Sequence, residues 1–237
     1  MKFLLTVAGF DPTGGAGILR DLAIFRRFGF LGAAAITANT VQNTGGVRRV
    51  EFVEGGFLIE HLKAVLEEIK PFGVKIGIPH SSAEINSEMA KLLGDFKPIV
   101  FDPVVSPTFG KEFLSNLEVI RPLLSVADVI TPNFSEYRVL KPYLEDFKGG
   151  VIVKGVVEGE RVKDLLMMGG EILKEIVHVR DDKEVRGTGC AFSSALLSLM
   201  CLGEVLEKAF VGASSFLETY RKESFKTGIM KQWYSFV

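Results

Sequence analysis

The run Val185 to Met200, VRGTGCAFSSALLSLM, sets Gly-Thr-Gly-Cys directly before small and apolar residues. Ala191, Phe192, Ala195, Leu196, Leu199 and Met200 recur at helical spacing, which predicts a helix starting near Gly189. The first turn of a helix carries unpaired N–H groups and the positive end of the macrodipole. Gly187, Thr188 and Gly189 would therefore suit an anion such as a phosphate, and glycines keep the backbone open to it. Cys190 would then face whatever reacts there. A thiol at a helix N-terminus is expected to ionise below its free value of roughly 8.5, which would make a thiolate available as a base. A turn followed by a core helix with a buried cysteine gives the same pattern.

Other reactive residue types stand in short polar segments. GFDPTGGAG (residues 9–17) is a glycine-rich loop, and TVQNTGG carries Gln42. Asp102 lies in FDPVVSP, Asn133 and Glu136 in TPNFSE, and Lys154 in VKGV. KIGIPHS completes the set. Each follows an apolar run, so the elements that must position them are strands.

Phe3 to Ala8 reads as a buried strand, followed by a helix over Ile18–Phe28 with Leu19, Leu22, Ala23 and Phe25 inward. GAAAITANTVQ and VRRVEFV read as strands flanking a loop at Asn43–Gly46, then Phe57–Ile69 as an amphipathic helix. From there strands and helices alternate. FGVKIG precedes a helix over Ser82–Leu93, KPIVFDPV one over Phe113–Leu124, and ADVITPN a short one over Ser135–Leu140. GGVIVKG and a pair of strands meeting at Gly169-Gly170 follow, and two helices finish the pattern. Alternation with continuous apolar strands predicts a three-layer α/β/α fold around a mostly parallel sheet, one domain over residues 1–237. Ligands of such sheets bind beyond the carboxyl ends of the strands, where the polar segments would converge.

Composition narrows the function. With 237 residues, 47% of them apolar, the chain can bury a sizeable core. The net charge of −1, with Lys and Arg spread out, does not suggest a nucleic-acid or anionic-membrane surface. Cys190 and Cys201 fall eleven residues apart on one predicted helix, about 16 Å, too far to pair. That agrees with a reducing, cytoplasmic setting. His61, His80 and His178 form no zinc spacing and read as surface residues. The opening apolar run is short and meets Asp11, Pro12 and glycines, so it is not read as a signal peptide, and no segment is long enough to span a membrane. G-x-x-x-x-G-K-[ST] is absent, as is G-x-G-x-x-G after the first strand.

The ordered set AGFDPTGGAGILRDL, TANTVQNTGGV, KIG, DPV, TPNFSE, VKG and GTGC resembles the hydroxymethylpyrimidine and phosphomethylpyrimidine kinases of thiamin biosynthesis, of the ribokinase-like superfamily. The resemblance runs from residue 3 to about 220. It implies ATP, Mg²⁺, a ribokinase-like fold, a homodimer and a small pyrimidine substrate. It implies that Asp21 and Gln42 contact the pyrimidine, an amide being matched to a ring nitrogen beside an exocyclic amine. Gly9 and Gly15 would let backbone approach that substrate. Gly187, Thr188, Gly189 and Lys154 would hold the transferring phosphate and those of ATP. Asn133 and Glu136 would place Mg²⁺, with Asp102 either joining them or capping a turn before Pro103. Cys190 would act as base toward an alcohol while tolerating a phosphate acceptor. A pyridoxal-type vitamin kinase and a non-catalytic pyrimidine-binding protein are the competing readings. The chain departs from the family at Ile78, where methionine is usual, and at Val156, where glycine is usual. It also departs in its short Asn133–Lys154 segment and short C-terminal region.

Overall fold

The computed structural model describes residues 2–105, 114, 116–179 and 183–236. Strands β1 (Phe3–Phe10), β2 (Leu31–Asn43), β3 (Gly46–Phe52), β4 (Val74–Ile76), β5 (Ile99–Phe101), β6 (Val129–Ile130), β7 (Gly150–Glu158), β8 (Arg161–Met168) and β9 (Glu171–Val179) form one sheet in the order β3-β2-β1-β4-β5-β6-β7-β8-β9. Strands β2, β1, β4, β5, β6 and β7 pair in parallel, whereas β3, β8 and β9 are antiparallel extensions at the two edges.

The central strands are apolar on both faces because helices cover both. Leu5, Val7, Ile99, Phe101 and Ile130 pack with α2 (Gly55–Glu68), α3 (Ala83–Leu93), α4 (Arg121–Leu124) and α5 (Phe134–Leu140). Their neighbours Leu4, Val100 and Val129 point the other way, into α1 (Gly17–Arg27), α6 (Thr188–Cys201) and α7 (Leu206–Lys222). Alternation at period two thus feeds two separate cores from one sheet. Phe192 and Leu196 of α6 are wholly buried, and burial of such a side chain stabilises by about 1.5–3 kcal/mol.

Most expected elements form, with four corrections. Helix α1 turns Ile24 and Phe25 inward and leaves Leu19 and Ala23 exposed, because buried Asp21 anchors a different face. Strand β7 runs on to Glu158 past an irregularity between Val153 and Val156, where Asp164 accepts from the Gly155 N–H at 2.8 Å. A small hairpin of β10 (Ser224–Phe225) and β11 (Tyr234–Ser235) follows α7, whereas the sequence pattern ends with two helices. His80 is buried, taking the Ser82 N–H on Nδ1 and pairing Nε2 with Val53 O at 3.0 Å. The helix expected over Phe113–Leu124 falls partly outside the described residues; within them a 3₁₀ turn, Leu117–Ile120, runs into α4. None of the described helices is long and apolar enough to cross a membrane.

Candidate active site

Because the central strands are parallel, their carboxyl ends share one edge. Asp102 stands directly after β5 there, 2% exposed. Its Oδ1 accepts from Thr131 Oγ1 at 3.0 Å and faces Lys154 Nζ at 3.2 Å, and its Oδ2 accepts from Ser193 Oγ at 3.1 Å. Burial by itself would raise the Asp102 carboxyl. Lys154, Lys75 and the Thr131 hydrogen bond outweigh it and hold that carboxyl below the usual carboxylate range.

The start of α6 meets this pair. A Cβ placed on Gly189 would lie 3.6 Å from Lys154 Nζ and 3.7 Å from Asp102 Oδ2. The Ala191 N–H opens the helical ladder on Gly187 O at 2.8 Å, so the amides of Thr188, Gly189 and Cys190 precede it. A cation, a helix N-terminus and a carboxylate therefore converge within one phosphate's reach.

Asn133 and Glu136 form a reciprocal cap at the head of α5. Asn133 Oδ1 accepts from the Glu136 N–H at 2.9 Å, and Glu136 Oε2 accepts from the Asn133 N–H at 2.8 Å. Asn133 is bridged to Lys154 in parallel register. Burial, reinforced by the charge of Asp102, pushes the Glu136 carboxyl up to about 7 against the pull of Lys154. Two carboxylates that repel each other suit a divalent cation. The hydrogen bonds already on Asp102 suit one held largely by water and phosphate oxygens, as Mg²⁺ prefers. No cluster of three or more His, Cys, Asp or Glu that could cage a metal occurs among the described residues.

Asp21 is closed off from solvent. It is fully buried, its Oδ1 bound to Lys75 Nζ at 2.6 Å and Ser194 Oγ at 2.9 Å, its Oδ2 to Thr6 Oγ1 at 2.6 Å. The pyrimidine contact expected of it is replaced by a sealed ion pair tying α1, β1, β4 and α6 together. Burial alone would lower the Lys75 ammonium, yet Asp21 holds it well above the ordinary lysine value.

Cys190 opens α6 as expected, but its thiol shifts the other way. Burial pushes it up to about 11, against the pull of Lys75 and the Gly17 N–H, with Asp21 and Asp102 adding to the rise. The helix N-terminus does not overcome desolvation and two neighbouring carboxylates, so the thiol stays protonated at neutral pH.

Arg186, just before the Gly-Thr-Gly-Cys run, joins the segments around Asp11, Gln42 and Gln232. Its guanidinium donates to Asp11 Oδ2 from Nε at 3.1 Å and Nη2 at 2.9 Å, and to Gln42 Oε1 from Nη2 at 2.6 Å. Nη1 reaches Asn43 O at 3.2 Å and Gln232 Oε1 at 3.0 Å. Gly15 lies against this side chain; a Cβ there would sit 2.5 Å from Arg186 Cδ. Two other glycines interlock the loops. Gly17 and Gly187 have φ of +59° and +71°, and a Cβ on them would come within 2.2 Å of Gly9 O and 2.0 Å of Gly15 O respectively. Gly9 itself backs onto Ile78, whose Cδ1 would lie 2.5 Å from a Cβ. Beside this junction a cleft of about 760 Å³ runs between Thr13, residues 43–48, residues 229–231 and Tyr234.

The fold thus brings Asp102, Lys154, Gly189 and the Asn133–Glu136 cap to one edge, with Gly9 and Gln42 near the ends of β1 and β2 and Gly15 in the loop that follows β1. Sequence reasoning missed Arg186 and Lys75. Lys75 carried a signal, since a lysine inside the apolar run FGVKIG needs a buried partner. Arg186 carried none, because its partners lie 144 and 175 residues away.

The family model for phosphomethylpyrimidine kinase matches residues 11–234. The hydroxymethylpyrimidine/phosphomethylpyrimidine kinase of Aquifex aeolicus is 35% identical over 245 residues, spanning 94% of this chain and 96% of that protein. The Bacillus subtilis protein of the same name is 32% identical over 236 residues, 90% of this chain and 86% of its own. The crystal structure of phosphomethylpyrimidine kinase from Clostridium difficile superposes with a TM-score of 0.74 at 30% identity, covering 92% of this chain and 99% of that one. The pyridoxal kinase of Staphylococcus aureus in complex with AMP-PCP gives a TM-score of 0.82 at 22% identity, covering 99% and 93%, which is a likeness of fold.

Proposed function

The chain belongs to the phosphomethylpyrimidine kinase family, and on that premise we propose that it transfers the terminal phosphoryl group of ATP to 4-amino-5-hydroxymethyl-2-methylpyrimidine and to its monophosphate in thiamin biosynthesis. The observation that carries this reading is the convergence at Gly189 of the α6 amides, Lys154 and Asp102. Phosphoryl transfer is catalysed mainly by positioning and by neutralising charge on the phosphate oxygens.

The acceptor oxygen attacks the terminal phosphorus, the bond to the bridging oxygen that leaves with ADP breaks, and an alcohol acceptor releases its proton to the transferred phosphoryl oxygens or to solvent. In this reading the amides of Thr188, Gly189 and Cys190 receive the transferring group, and Lys154 places a point charge on the phosphates. Mg²⁺, when bound, supplies further neutralisation. Glu136 would hold it through the oxygen that Asn133 leaves unclaimed, Asn133 fixing that carboxylate and Asp102 adding its charge. A loose transition state asks little of a base, so a neutral Cys190 is compatible with an alcohol acceptor. It also presents no charge against a monophosphate, which arrives already ionised. Gln42, beside the glycine loops at Gly9 and Gly15, would read the pyrimidine edge. On family grounds the enzyme is a cytoplasmic homodimer; light scattering on the purified chain tests the dimer.

An assay coupled to ADP release, run separately with the hydroxymethylpyrimidine, its monophosphate and pyridoxal, tests the reading. Turnover of the two pyrimidines supports it. Turnover of pyridoxal alone, or binding of pyrimidine with no turnover, overturns it.

A further inference from the structure

A primary amide can be turned end for end at little steric cost, and the two orientations read opposite hydrogen-bonding patterns. In this chain both ends of the Gln42 amide are committed. Arg186 has only donors to offer, so the atom facing its Nη2 at 2.6 Å must be Oε1. At the other end Thr40 Oγ1 gives its one hydrogen to Phe10 O at 2.8 Å. The hydroxyl can then only accept, so the atom facing it at 2.7 Å must be Nε2. Each neighbour sets the polarity independently, and they agree. The half-buried amide keeps one N–H and one oxygen lone pair beyond these bonds, a donor and an acceptor side by side in a fixed order.

We propose that Arg186 and Thr40 are positioning residues that lock the Gln42 amide in the one orientation able to read a 4-aminopyrimidine. The inference rests on Gln42 reading the pyrimidine edge, as proposed above. A 4-aminopyrimidine presents a ring nitrogen that accepts beside an amine that donates, which matches Nε2–H and Oε1 in this order. The 4-oxo analogue presents a ring N–H beside a carbonyl, the same pattern reversed. A free amide flips to suit either; a locked one refuses the second. Arg186 is itself pinned by Asp11, which also holds the Thr13 N–H and hydroxyl at 2.9 and 2.8 Å, so the lock is anchored in the glycine-rich loop.

The test is calorimetric binding of 4-amino-5-hydroxymethyl-2-methylpyrimidine and its 4-oxo analogue. The variants are Thr40→Val, Arg186→Met and the double substitution. Thr40→Val is nearly isosteric and leaves the Asp11–Arg186 pair intact, so it keeps the test open if Arg186→Met fails to fold. The parent should prefer the amino compound by about 100-fold or more, since a site built to pair polar groups rejects a ligand that leaves them unpaired. The preference should fall severalfold in Thr40→Val and to within about tenfold in the double variant, through a gain in 4-oxo binding that mere loosening of the site would not give. An unchanged preference in both overturns the lock. Gln42→Leu separates the two claims. If it binds the amino compound as the parent does, the reading of Gln42 fails, and the lock with it. If it loses that affinity while the other variants keep the parent's preference, only the lock fails.

Discussion

Two lysine–aspartate pairs flank the first turns of α6, and adjacent serines of that helix bind one aspartate each. Ser194 donates to Asp21 of the Lys75 pair, and Ser193 to Asp102 of the Lys154 pair. The first pair is sealed: 2.6 Å apart, with both side chains 0% exposed. The second is looser, 3.2 Å, and Lys154 retains 13% exposure where it meets the α6 N-terminus. The same two residue types do opposite things because of where their surplus bonding capacity goes. Asp21 spends its capacity on protein donors and joins four elements. Lys154 has an ammonium still able to face an anion. A buried pair is judged by what it leaves unpaired when broken, an open one by what it can still bind.

Lys75→Met should give the largest effect. It strands the Asp21 carboxylate in the core, which costs about 3–5 kcal/mol. Urea unfolding measures this, and a loss under about 1 kcal/mol would erase the distinction between the pairs. Lys154→Met should lower kcat about 10²- to 10³-fold by removing charge from the phosphates, with a smaller loss in the same unfolding experiment. Equal stability losses in the two methionine variants would show both pairs to be structural. Glu136→Gln should come next, raising the Mg²⁺ concentration for half-maximal rate about tenfold at saturating ATP. An unaltered Mg²⁺ titration would reduce Glu136 to a helix cap. Cys190→Ser should do least. Burial holds this thiol at about 11, so a neutral hydroxyl replaces a neutral thiol. The rate should fall less than about tenfold, with no limb of the pH–rate profile between pH 6 and 9 disappearing. Loss of 10² or more would restore Cys190 as a general base.

These pairs also mark how far sequence reasoning reaches. The alternating apolar runs predict the layers, and the polar segments after them predict the shared edge, because period and strand direction are local properties. The Gly187–Cys190 helix start is legible for the same reason. Asp21 is not: a carboxylate in a helix after a glycine loop has the same sequence whether it faces a ligand or a lysine from β4. Apolar character points Leu19 and Ala23 inward, but the Asp21 anchor turns them out. Helix position alone predicts a Cys190 thiol that ionises easily. The buried surroundings and the two nearby carboxylates that reverse this come from distant parts of the chain.

The Arg186 junction has a consequence for the order in which the molecule assembles. It closes contacts over sequence separations of 175 residues to Asp11, 144 to Gln42 and 46 to Gln232. Gln232 lies in the segment that bonds back to Glu184 and Arg186 through Trp233, and Arg20 reaches Ser235 across 215 residues. Closing loops of that span is entropically slow compared with docking neighbouring strands and helices. On the ribosome the central sheet can form while the chain is still emerging, but Arg186 has no Gln232 to close on until residue 232 has been made. The Arg186 junction is therefore the last part of this fold to close. Pulse-labelled hydrogen exchange during refolding should show the Arg186 and Trp233 amides protected after those of β1 and β4; simultaneous protection would contradict that order.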